Sequence, residues 1–222
     1  MELILERDLD HQKKAVDALM SALDGVSMIK PRLSYENPSF DRTEPRLIHN
    51  LMEVQKGIRA DYRGCRDEGP YLNLDVKMET GTGKTYVYTH TIYEMHKRFG
   101  FNKFIIAVPS LPIKAGASQF ISDSYVKHHF SDACGYNCDI ELGVLESPRK
   151  KKKGFLAMPS AVRDFVTGSC QNTNKIYVLL VNMQLLTNGN MLTRSDYDYL
   201  VEGFYRPFDA LKATKPVVII DE

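Results

Sequence analysis

The sequence predicts an α/β fold, built on a central and mostly parallel sheet with helices on both faces, and three observations carry that prediction. Phe104–Val108, Ile176–Val181 and Val217–Ile220 are continuous apolar runs of strand length, the pattern of strands buried on both faces. Helix-like text separates them, as crossovers between parallel strands require. Between a strand-like and a helix-like segment stands the turn Thr80-Gly81-Thr82-Gly83, followed at once by Lys84-Thr85. With 222 residues, 43% hydrophobic and 26% charged, the chain has the size and composition of one such domain. Residues 1–70 read as an N-terminal helix and connector, and 71–222 as the core.

Along the chain, Leu9, Val16, Leu19, Met20 and Leu23 recur at helical spacing; Asp8 can cap the start and Gly25 can end the helix. From Lys30 to Pro70 the text is polar and broken by Pro31, Pro38, Pro45 and Pro70, with a short helix expected from Leu47 to Ile58. This is a connector packed on the domain edge. Tyr71–Met78 is expected to be a strand, although Leu72, Leu74 and Val76 alternate with Asn73, Asp75 and Lys77, a pattern of one wet face. Lys84–Phe99 is a helix with Tyr88, Ile92, Met95 and Phe99 on one side, and Pro109 halts the strand that follows.

Lys and Arg number 29 against 28 Asp and Glu, a formal net charge of +1, so contact with nucleic acid must come from local patches and not from a global field. One such patch is the run Arg149–Lys153, readable either as a solvated loop or as a contact with DNA phosphates. No segment approaches the ~20 apolar residues that span a bilayer, and Met1–Arg7 holds too short an apolar run for a signal peptide. A cytoplasmic location is expected. Cys65, Cys134, Cys138 and Cys170 then read as thiols. Cys134 and Cys138, with His128 and His129 just before, form the one arrangement that suggests a metal, but at a loose spacing and without a second ligand pair.

A triphosphate needs many donors converging on a compact anion, and a turn from strand to helix supplies them as backbone N–H groups and the positive end of the helix. Thr80, Gly81, Thr82, Gly83, Lys84 and Thr85 have that form: the glycines let the backbone approach, Lys84 reaches the β- and γ-phosphates, and the Thr85 hydroxyl ligates magnesium. The usual pattern places a further glycine five residues before Gly83, where this chain has Met78. Downstream, the strand Val217–Ile220 delivers Asp221 and Glu222 at its C-terminal end, where open α/β sheets bind ligands. Asp221 is expected to hold magnesium through water, and Glu222 to orient and deprotonate the attacking water. Lys84, Asp221 and Glu222 are the candidate catalytic residues, with ATP and Mg2+ as the ligands.

The text Met78–Tyr88, followed by Lys103–Lys114, resembles superfamily 2 helicases, and most of all the restriction (Res) subunits of type III restriction-modification enzymes. The similarity runs across nearly the whole chain, weakest in the connector and from about Asp132 to Asn174. It implies a RecA-like P-loop NTPase lobe acting as an ATP-driven motor on double-stranded DNA, alongside methyltransferase (modification) subunits. It also implies that Gln12 reads the adenine edge and that Ser110, Lys114 and Asn182 lie on the DNA side. Family members continue past Asp-Glu into a second lobe, whose arginines stabilise the transition state, and then into a nuclease. Residues 1–222 are accordingly expected to be one lobe of a longer protein, nearly inactive alone. Another superfamily 2 translocase, or a nucleotide-switched regulatory module, are the alternative readings.

Overall fold

The computed structural model describes residues 5–6, 9–56, 71–146, 157–188 and 190–221. Helix α1 (Asp10–Leu23) buries Gln12, Val16, Met20 and Leu23, and Gly25 follows it at a φ of 68°; Asp8, the expected cap, lies outside the described residues. Helix α2 (Pro45–Val54) begins at Pro45, since a first-turn proline forfeits no helical hydrogen bond. Proline there is a helix start and not the breaker expected from the sequence. Helix α3 (Lys84–Phe99) has the expected bounds and runs between two left-handed glycines, Gly83 and Gly100. There follow β1 (Lys103–Val108), α4 (Leu111–Ser122), α5 (Ser124–His128), a π-helical turn (His129–Ala133), β2 (Asp139–Val144), α6 (Ser160–Thr167), β3 (Lys175–Asn182), α7 (Met183–Asn188), α8 (Asn190–Thr193), α9 (Pro207–Ala213) and β4 (Val217–Ile220). No helix among the described residues is long and apolar enough to cross a membrane.

The four strands form one sheet in the order β2-β3-β1-β4, parallel at every pairing. Alternate residues of β1 and β3 face opposite ways, and both faces are covered. Phe104, Ile106, Val108, Ile176, Val178 and Leu180 pack with Ile92 and Tyr93 of α3 and with Ala117 and Ile121 of α4. On the other face, Ile105, Ala107, Leu179 and Val181 pack with Val162, Phe165 and Val166 of α6 and with Ala210 and Leu211 of α9. Helix α3 is buried almost all round because α1 covers its outer side, where Val16 and Met20 meet Val87. The α/β architecture with helices on both faces is the one the apolar runs predict.

Two strand assignments differ from the sequence reading. Residues 72–79 take no part in any ladder. Leu72 is half-buried against the first core and Val76 is 41% exposed, so the alternation marks an extended segment resting on the domain. Edge strand β2 was not anticipated, because in Asp139-Ile140-Glu141-Leu142-Gly143-Val144 only Ile140 is fully buried, and no continuous apolar run betrays it.

The connector contributes a side chain that ties the sheet together. Asn37 is fully buried. Its amide donates to the carbonyls of Lys103 (2.8 Å) and Lys215 (3.2 Å) and accepts from the N–H groups of Asn102 (2.8 Å) and Lys103 (2.9 Å). Its own N–H donates to Thr214 O (2.9 Å). Lys103 is buried beside it, with Nζ donating to the carbonyls of Phe165 and Gly168 and lying over the Tyr177 ring; burial pushes its pKa down to about 8. Asn37→Ala should cost about 2–4 kcal/mol, because it leaves several buried backbone groups without partners. Asn37→Asp, equal in shape but without the donors, should cost about as much. Urea unfolding measures both, and a loss under ~1 kcal/mol in either would contradict this role.

Candidate nucleotide-binding site

The turn before α3 is closed by Thr82, whose hydroxyl donates to Glu79 O (2.7 Å) and whose N–H donates to the same carbonyl (3.4 Å). Gly81 and Gly83 hold φ values of 82° and 86°, a region that L side chains avoid. Gly83 is required twice over, since a Cβ there would stand 2.4 Å from Gln12 Nε2. The close approach is made by α1, which lays two adjacent side chains on the turn: His11 Nε2 lies 3.0 Å from Thr82 O, and Gln12 Nε2 donates to that oxygen at 3.1 Å. A carbonyl accepts only, so the Gln12 amide is held with its Nε2 end on the turn and its Oε1 pointing away.

Among the described residues Gln12 Oε1 is a buried side-chain atom with no hydrogen-bond partner, and it belongs to this neighbourhood. Tyr88 lies one helical turn beyond Lys84; burial pushes its pKa up to about 12, a side-chain hydrogen bond with Thr85 opposes the rise, and the charge of Asp221 adds to it. Asp221 continues the ladder past β4, its N–H donating to Ala107 O (3.0 Å). Burial raises the pKa of its carboxyl, and the charge of Lys84 opposes that rise. Lys84 and Asp221, far apart in sequence, therefore lie within electrostatic reach of each other. Thr85, next to Lys84, opens the same helix, while Thr80 is exposed in the turn; Glu222 lies outside the described residues.

The residues expected on the DNA side sit at the same C-terminal edge of the sheet, and each has an internal partner. Ser110 caps α4, its hydroxyl accepting from Ile113 N (3.5 Å). Asn182 is buried and accepts from Gln184 N (2.9 Å). Lys114 is buried, its Nζ donates to Leu145 O, and burial lowers its pKa. Its ammonium ties α4 to the end of β2 and is turned away from the surface. The basic run 149–153 lies outside the described residues. Cys134 Sγ is 3.7 Å from His129 Nε2, His128 bonds back to Ser124 O, and burial raises the Cys138 thiol to about 11; among the described residues no three such groups gather as metal ligands. His11 and Tyr88 were missed from sequence, since a histidine on a helix and a tyrosine on an apolar face carry no signal of their own.

Residues 7–222 match the family described as type III restriction enzyme, res subunit. The chain is 39% identical over 222 residues to the type III restriction-modification enzyme EcoPI Res subunit of Escherichia phage P1, an alignment covering 98% of this chain and 23% of that protein. It is 37% identical over 226 residues to the EcoP15I Res subunit of Escherichia coli, again covering 98% and 23%. With the StyLTI Res subunit of Salmonella typhimurium the identity is 36% over 225 residues, covering 100% and 20%. The chain thus spans less than a quarter of the length of these relatives.

The partial burial of Asp221 has a measurable consequence. A carboxyl whose folded pKa lies above its ordinary 3.8 costs no stability below that pH, and an increasing amount as pH rises through the folded value. Asp221→Asn should therefore raise the unfolding midpoint at neutral pH, and the gap to the parent should close on acidification below about pH 4. Equal midpoints at pH 7 would refute the burial argument.

Proposed function

The chain belongs to the type III restriction enzyme Res-subunit family, and on that footing we propose that it is the ATP-binding lobe of a DNA-dependent motor. One observation carries the reading: Lys84, at the head of a helix that follows a left-handed glycine turn, and Asp221, at the end of a parallel strand, lie within electrostatic reach of each other. A cation and backbone donors on one side and a carboxylate on the other are the groups that a nucleoside triphosphate with magnesium requires. In this reading the backbone of Thr80, Gly81, Thr82 and Gly83 cradles the phosphates and Lys84 reaches the β- and γ-oxygens. Thr85 and Asp221 hold magnesium, which when bound neutralises charge on the transferred phosphoryl group, and Glu222 orients the attacking water. Gln12 supports adenine recognition, because its one orphaned atom is an acceptor suited to an exocyclic amino group.

We place double-stranded DNA across the C-terminal edge of the sheet, touching Ser110 and the exposed first turn of α4. Lys114 serves there by fixing α4 to Leu145, and Asn182 by shaping the turn after β3. The relatives are named as Res subunits of restriction-modification enzymes, so modification subunits are the proposed partners of the longer protein. Titration calorimetry with ADP and magnesium tests the reading: Lys84→Ala should weaken binding by roughly a hundredfold while leaving the unfolding midpoint near that of the parent. Equal affinities would sink it. Phosphate release by residues 1–222 alone should fall ~10³-fold or more below that of the longer protein, for want of cations closing the far side of the γ-phosphate; comparable rates would show the site complete within this lobe.

A further inference from the structure

Two neighbouring side chains of α1, and not Gln12 alone, converge on the carbonyl of Thr82, at 3.0 Å for His11 and 3.1 Å for Gln12. The peptide that joins Thr82 to Gly83 is trans and planar, so its C=O and N–H point in opposite directions. Pinning the carbonyl toward α1 therefore aims the Gly83 N–H away from α1, toward the concave side of the turn. Gly83, at a φ of 86° and without a Cβ, could otherwise rotate its peptide at little cost. Two donors oppose that rotation where one would leave it softer.

We propose that His11 is a positioning residue for phosphate binding, holding the Thr82 carbonyl through its ring N–H so that Gly83 N–H faces the anion. The proposal rests on the nucleotide reading of this turn. The carbonyl only accepts, so the His11 ring nitrogen that faces it is the donor. The groups sharing the cleft of about 530 Å³ that His11 lines are Lys14, Lys77, Asp75 and Glu79, two of each sign.

The test is the affinity of the parent chain, His11→Ala, His11→Gln and Lys84→Ala for ADP with magnesium, by calorimetry. His11→Ala should bind about three- to tenfold more weakly, the effect of one hydrogen bond. His11→Gln, which keeps a donor, should restore affinity to near that of the parent. His11 is exposed, so unfolding midpoints should not move; if His11→Ala fails to fold, His11→Leu, which removes the donor but keeps the bulk, takes its place. Parental affinity in His11→Ala, or no rescue by His11→Gln, overturns the inference. If Lys84→Ala still loses most of its binding, the nucleotide reading survives that result. No binding by the parent overturns both.

Discussion

The amide of Asn37 is the interaction on which the rest of the arrangement hangs. It meets the start of β1 and the residues leading into β4 with hydrogen bonds in both directions, doing for two parallel strands at their base what a ladder does further up. The pairing Phe104↔Val217 begins just above it. Because side chains alternate along a strand, a slip of one residue would turn Val217 and Ile219 from the core to the open face. It would also carry Asp221 about 3.3 Å along the sheet relative to β1. A connector that reads as featureless therefore helps to hold the register that places this carboxylate.

What was legible in the sequence is what periodicity controls. Strands β1, β3 and β4 announced themselves because burial on both faces demands unbroken apolar runs, and α3 because a sixteen-residue helix between two glycines leaves little choice. Periodicity failed where it reports burial without pairing: residues 72–79 alternate as a strand would, yet alternation says only that one side is dry. It failed again at β2, an edge strand whose exposed side is acidic. Asn37 and Lys103 were illegible for a different reason. A buried polar side chain is recognised by the partners that satisfy it, and those partners come from segments 62 and more residues away.

The candidate site divides in the same way. The glycine turn before Lys84 was legible because it lies within six consecutive residues, and the place of Asp221 because a strand delivers it. Lys114 was placed on the DNA side through resemblance, whereas the fold turns its ammonium inward to the carbonyl of Leu145 at the end of β2, a segment the sequence reading had not recognised. Gln12 was singled out through resemblance, as a residue expected to read adenine, and its Oε1 is buried without a partner. His11 stands beside it on the same helical turn. Its geometry became visible only when α1 was laid against the glycine turn.

The sheet ends at β4, whose far edge has no partner strand among the described residues, and whose Val218 and Ile220 are 51% and 58% exposed. A bare strand edge with apolar side chains beside it is a template for another chain to pair against, and proteins ordinarily guard such edges with charge, proline or cover. Here the net charge is +1, too small to keep copies apart in solution. An exposed apolar edge thus runs directly into Asp221, so the solubility of this lobe and the surroundings of that carboxylate are coupled: a second chain pairing against β4 would draw Asp221 further from water.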